Sequence, residues 1–164
     1  MMFFPFDEIN ALKLELAAAK SPEGAGFNLD KDNYIDEVLD MLLMAYFYGT
    51  ADVSQQLGEE IAPDEEEARA VIEERFDGKD FRERIGGYLN SGTEADIAKV
   101  LETDAHRVYN AALYAGAKAA GAAYKTWNCM LLPTSRDTHV YLDGVTVPID
   151  ARFYSFKGGS TLYP

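Results

Sequence analysis

Residues 111–127 read Ala111-Ala112-Leu113-Tyr114-Ala115-Gly116-Ala117-Lys118-Ala119-Ala120-Gly121-Ala122-Ala123-Tyr124-Lys125-Thr126-Trp127, and within this stretch a helical pattern gives way to a β-prone one. Eight of the thirteen residues from Ala111 to Ala123 are alanine, the strongest helix former, so the run continues a helix begun upstream. Leu101, Ala105, Val108, Ala112, Ala115, Ala119 and Ala122 recur at three- and four-residue spacing and form one seam. Thr93, with Asp96 three residues later, supplies an N-cap signature, and a long helix over about 94–125 is predicted. Small side chains along the seam let a neighbouring backbone come close. That contact has to offset the roughly 1 kcal/mol that each glycine costs a helix relative to alanine.

Beyond Lys125 the periodicity changes. Residues 126–132 read as a strand halted by Pro133. Residues 139–142 and 145–149 read as two further β-prone runs joined by Asp143-Gly144, the strongest short hairpin signal. Pro148 cannot donate to a ladder, which marks its strand as an edge. Upstream, apolar spacing predicts helices over 7–20, stopped by Ser21-Pro22-Glu23-Gly24, and over 31–49, ending at Gly49. A third helix is opened by Pro63 and the acids after it, carries Ala68, Val71, Ile72 and Phe76, and breaks at Asp77-Gly78; a shorter one covers 81–89. The expected fold is therefore α+β: a helical N-terminal two-thirds with a long Ala-rich helix, then a small antiparallel β unit containing an Asp-Gly hairpin. The expected division is an acidic helical region at 1–92 and a second domain at 93–164.

The chain has 164 residues, 48% apolar, with a formal charge of −13. This length and apolar fraction suit one domain, or two very small ones, with a filled core. Residues 103–164 carry six bases against four acids, a balance of +2, which leaves −15 on residues 1–102. Contact with an anion such as DNA is thus expected of the C-terminal half only. The lone Cys129 excludes an intramolecular disulfide and a cysteine zinc cluster. The longest apolar run, Met41 to Tyr48, is far short of the roughly 20 residues that span a bilayer. No basic leader precedes the first acids, so synthesis in a cytoplasm and no membrane contact are expected.

Two polar groups could carry chemistry. Thr103, Arg107, Asn110 and Tyr114 share one helical face, with His106 beside them. Ser135-Arg136-Asp137-Thr138-His139 follows the first predicted strand. If that strand folds back along the helix, the two groups approach each other. A phosphoryl-transfer or nuclease-type enzyme could be assembled from them, with His139 as general acid or base, Arg107 and Arg136 stabilising a phosphoryl or oxyanion charge, and Asp137 orienting a histidine. No Gly-rich phosphate loop and no Gly-x-Ser-x-Gly elbow accompanies them, and the two histidines have no metal-ligand spacing. The economical expectation is a helix and a β unit cross-braced by buried, hydrogen-bonded Arg, Asp, His and Asn, with no catalytic residue, metal or cofactor. A third reading, an acidic interaction module or DNA mimic, rests on the −15 region alone.

In order along the chain, Thr103-Asp104-Ala105-His106-Arg107-Val108-Tyr109-Asn110, Lys125-Thr126-Trp127, Arg136-Asp137-Thr138-His139, Leu142-Asp143-Gly144 and Val147-Pro148-Ile149-Asp150 with Phe153 resemble the phage minor head protein family typified by the F protein of phage Mu. Tyr34-Ile35-Asp36-Glu37 and Ala45-Tyr46-Phe47-Tyr48-Gly49 resemble the helical region of Gram-positive phage and prophage members. The resemblance implies a non-catalytic structural virion protein, inside the head near the portal and in the host cytoplasm during assembly. It implies the portal protein and other head proteins as partners, and a role in head morphogenesis and DNA packaging or ejection. Carried over by position, the motif residues are Thr103, Arg107, Asn110, Trp127, Arg136, Asp137, His139, Asp143 and Gly144. Leu131-Leu132-Pro133-Thr134 stands where members often carry an acid and another arginine, and the family domain usually continues past the position of Pro164.

Overall fold

The computed structural model describes residues 4–20, 26–76, 78–129, 131, 133 and 135–162. The fold is α+β, with helices filling the N-terminal two-thirds and two small antiparallel sheets at the C-terminus. Helices α1 (Phe6–Ala18), α2 (Lys31–Leu57), α3 (Glu65–Ile72), α4 (Phe81–Ser91) and α5 (Glu94–Ala119) are followed by β1 (Tyr124–Thr126), α6 (Asp137–Leu142), β2 (Thr146–Pro148), β3 (Phe153–Tyr154) and β4 (Ser160–Thr161).

Local chemistry sets the helix starts. Asp30, Asp64 and Asp80 each accept a backbone N–H three residues on, and Asp80 with Glu83 forms a reciprocal capping box. The predicted Thr93–Asp96 box is present at the start of α5. Pro63, expected within the first turn of α3, instead precedes the capping Asp64, and α3 ends at Ile72, so Phe76 lies outside it. Several expected breaks lie wholly or partly outside the described residues: Ser21–Gly24, Asp77, and the end of the 126–132 strand at Met130 and Leu132. The closing Tyr163-Pro164 lies outside them as well.

α2 and α5 form the centre of the helical core. α2 does not stop at Gly49 but runs on to Leu57 and is capped at Gly58. Gly49 stays helical because it is where α5 crosses: a Cβ there would lie 2.5 Å from the Tyr109 carbonyl oxygen and 2.9 Å from Ala112 Cβ. One turn further on, Val53 Cγ1 fills the space a Cβ on Gly116 would need. Tyr34, Leu42, Leu101 and Val108 are fully buried around this crossing, and α1, α3 and α4 close over it through Leu16, Ile72 and Leu89. The expected boundary at 92/93 is therefore not where the core divides. α5 belongs to the same apolar cluster as α1–α4, and a second cluster begins only after it.

α5 ends at Ala119, earlier than predicted, because Gly121 takes a left-handed φ of +75°. Its N–H donates to the Lys118 carbonyl and that of Ala122 to the Ala117 carbonyl, a Schellman termination. The chain leaves as β1, which pairs with β2 in the register Tyr124↔Pro148, Lys125↔Val147, Thr126↔Thr146. β3 and β4 form the second pair.

Three details of the predicted β unit differ. Trp127, Asn128 and Cys129 are not in a strand, and residues 137–142 are helix α6 rather than a β run. Helical spacing puts His139 and Leu142 on one side, against Trp127, and leaves Val140 and Tyr141 exposed. The Asp-Gly hairpin is absent. Asp143 (φ −55°, ψ 128°) and Gly144 (φ +74°) form a type II turn closed by Val145 N–H to the Leu142 carbonyl at 2.9 Å. A type II turn needs a positive φ only at its third position, which Gly144 supplies, whereas the expected type I′ hairpin needs two in succession.

Candidate functional site

The nine motif residues fall into three places. The first is the outer face of α5 beside α3 and α4. Asp104 is buried and accepts Arg84 Nη2 at 2.8 Å, while Arg107 Nε lies 3.6 Å from its other oxygen. Arg107 Nη1 donates to the Val71 carbonyl at 2.7 Å and lies within 3.6 Å of Glu74. The Phe76 ring sits 5.0 Å from the Arg84 guanidinium carbon and 4.7 Å from that of Arg107. This Arg–Asp–Arg cluster ties the connection between α3 and α4 to α5. Thr103 is exposed on the rim of a cleft of about 390 Å³ beside it.

The second place is the junction between α5 and the C-terminal unit. Asn110 lines a cleft of about 330 Å³ with Asn128, Lys125 and the last turn of α2. Lys125 Nζ is buried without a hydrogen-bond partner and lies 4.7 Å from the centre of the Tyr114 ring and 5.5 Å from that of Phe153. Its burial pushes the ammonium pKa below the ordinary lysine value, against the pull of Asp150. Asp150 accepts Lys118 Nζ at 2.6 Å and the Tyr114 hydroxyl at 3.2 Å, joining the segment after β2 to α5. The hydrogen bond from Lys118 holds the Asp150 carboxyl below the usual range and raises the lysine.

The third place is the C-terminal unit. Trp127, Leu142 and Phe153 form its core, with the Trp127 ring edge-on to Phe153 and to His139, each 5.3 Å away. Asp143 Oδ1 accepts the Cys129 N–H at 2.8 Å and fixes the loop through its backbone. Gly144 N–H donates to the Trp127 carbonyl, extending the β1–β2 pairing. Partial burial, then the nearby Arg136 charge, lowers the His139 pKa. A cleft of about 210 Å³ adjoins His139, and neither Arg136 nor Asp137 lines it.

The expected brace between helix and β unit therefore takes another form. Arg136, Asp137 and His139 are exposed and do not meet Arg107, which packs against α3 and α4. The reason is length: Thr103 to Tyr114 spans about 16 Å along a helix, so one face meets two different neighbours. The buried ionic brace lies between α5 and α4 instead. The residues that make it, Arg84 and Phe76, left no signal in the sequence, because they come from other segments. Cys129 is half-buried beside the Trp127 cluster rather than inside a strand. Among the described residues, no three His, Cys, Asp or Glu side chains group as metal ligands, and no helix is long and apolar enough to cross a membrane. No protein-family model, curated protein or solved structure matches the chain.

Proposed function

We propose that this protein is a minor head protein of a phage or prophage, a non-catalytic virion component that docks at the portal vertex and serves head morphogenesis and DNA packaging or ejection. The observation that carries the reading is the ordered motif series from Thr103 to Asp150, whose polar members Arg136, Asp137, His139 and Asp143 are exposed on the C-terminal unit. The same unit exposes Val140, Tyr141, Tyr154 and Phe156, and the Tyr141 and Phe156 rings stand 5.2 Å apart. Exposed aromatic side chains of this kind are enriched in the cores of protein interfaces. Arg136, Arg152 and Lys157 are the cations available for any DNA contact, in keeping with the charge division of the sequence. The separation of His139 from Arg107 supports a structural role over phosphoryl transfer.

The test is co-expression with the portal protein of the same phage and affinity purification of either partner. The expected result is co-purification, lost when Tyr141→Ser and Phe156→Ser are combined while the helical circular dichroism is kept. Failure to co-purify, with the chain absent from purified heads, removes the proposal. Turnover of a phosphate ester that is abolished by His139→Ala without loss of thermal stability would replace it with the enzyme reading.

A further inference from the structure

The cleft of about 330 Å³ where the last turn of α2 and the end of α5 meet β1 is shared by both parts of the fold, and its lining presents no accessible charge. Its apolar walls include Leu57, Leu113, Ile149 and Phe153, and the Tyr124 ring lines it while remaining 66% exposed. Lys125 is the one charged residue in the lining, and its Nζ is buried against the rings of Tyr114 and Phe153. Asp150, Lys118 and Arg152 act on Lys125 from outside the lining. Lys118 and Asp150 are paired with each other at 2.6 Å, and Arg152 Nε donates to Ser160 Oγ at 3.1 Å. A charged ligand would lose hydration there without meeting an exposed counter-charge. The lining does hold three carboxamides, Gln56 from α2, Asn110 from α5 and Asn128 from the segment after β1, and Gln56 and Asn128 are exposed. A carboxamide offers a donor and an acceptor in one plane.

We propose that this cleft binds an uncharged, flat heterocycle with donors and acceptors along its edge, a nucleobase or nucleoside in chemical class. The exposed Tyr124 ring gives such a molecule a surface to stack on, and the carboxamides give its edge partners of both kinds. Stacking on an aromatic ring combined with edge hydrogen bonds to side chains is how proteins hold an unpaired base. The volume stands at the lower end of small-molecule sites, which suits one or two rings rather than an extended chain. Glu59 and Glu60 directly follow the α2 wall, so a phosphodiester strand laid along it would meet like charge. A free nucleoside carries no such penalty. Tyr141 and Phe156, the residues offered to the portal, do not line the cleft, so the two proposals stand or fall separately.

Titration calorimetry on the full chain tests it with adenosine, thymidine, benzoate, benzamidine and a thymidine oligonucleotide without terminal phosphates. A nucleoside is expected to bind, with the flat anion benzoate and the flat cation benzamidine weaker at the same concentration. Tyr124 and Asn128 are exposed, so Tyr124→Ala and Asn128→Ala should keep the fold by circular dichroism. Tyr124→Ala should weaken the nucleoside by about fivefold or more through lost stacking, and Asn128→Ala by a smaller factor in the same direction. Absence of binding by adenosine and thymidine alike at millimolar concentration, or an affinity unchanged in Tyr124→Ala, overturns the proposal. Tighter binding of benzoate or benzamidine also overturns it, because the cleft would then select charge. Tighter binding of the oligonucleotide than of thymidine overturns it as well, because the cleft would then follow a nucleic-acid strand.

Discussion

The helical core and the C-terminal unit are built on opposite principles. In the core, twenty or so buried side chains from five helices share one apolar interior, so no single contact decides the arrangement. In the C-terminal unit, three buried side chains among the described residues, Trp127, Leu142 and Phe153, hold together two sheets of two strands and a six-residue helix. What the second lacks in apolar area it supplies through backbone geometry: the type II turn at Asp143-Gly144, the Cys129 N–H on Asp143 and the Trp127–Val145 pairing. A two-stranded sheet is at best marginal alone in water. The C-terminal unit is thus a cooperative dependent of α5, tied to it by Asp150 and by Lys125 against Tyr114.

The sharpest way to break this comparison is Trp127→Ala. Removing a buried aromatic side chain of this size costs about 3–5 kcal/mol, which exceeds what so small a core can lose. The expected outcome is local unfolding: hydrogen-exchange protection vanishes at Trp127, Gly144 and Val145, while amides in α2 and α5 exchange as before. Loss of protection throughout the chain would mean that the two regions are one cooperative unit.

How much of each region could be read from the sequence follows the same division. Helices α1, α2, α4 and α5 were legible because several apolar residues per helix repeat the period, and the Thr93–Asp96 box stated where α5 begins. Their ends were less legible, since Gly49, Gly58, Gly116 and Gly121 look alike in one dimension. Only the fold shows that two are contact points and two are terminations. In the C-terminal unit, residues 139–142 are β-prone by composition. A helix forms there because it turns both His139 and Leu142 towards Trp127, a contact local propensity cannot express. Of the site residues, the α5 stripe was correctly placed on one face, but its neighbours were not: Arg107 meets Arg84, Phe76 and Asp104 rather than His139.

The next largest effect tests the close crossing that defines the core. Gly49→Ala places a methyl 2.5 Å from a backbone carbonyl oxygen of α5, and a backbone atom can move only if the helix moves. A destabilisation of about 1–3 kcal/mol is expected, even though alanine is the better helix former. Gly116→Ala meets Val53 Cγ1 instead, a side-chain atom of the facing helix that can yield by shifting one residue. Its cost should fall below that of Gly49→Ala, offset by up to about 1 kcal/mol of helix propensity. Chemical denaturation of the two variants decides the point: equal losses would show that the crossing is evenly compliant.

The smallest effect is a pH dependence that differs between the two regions. His106, stacked on Phe4 at 4.3 Å, and His139, beside Trp127, both have their pKa lowered from the ordinary 6.5, chiefly by burial. For both, the unfolded chain binds protons first as pH falls, so stability is complete above about 6.5 and declines as pH drops through the folded-state values. In the helical core a second group runs the other way: burial and the neighbouring Glu37 raise the Glu15 pKa, which favours the folded state as that carboxyl protonates. In the C-terminal unit, the nearby Arg136 charge adds to the depression of His139. Acidification from pH 7.5 towards 5.5 should therefore reduce hydrogen-exchange protection in β1 and β2 more than in α2. His139→Gln should flatten the response in the strands only, and His106→Gln should flatten it in the helices only. A response that either variant abolishes in both regions would show that proton binding is shared through α5, and that the smaller core is less separate than its packing suggests.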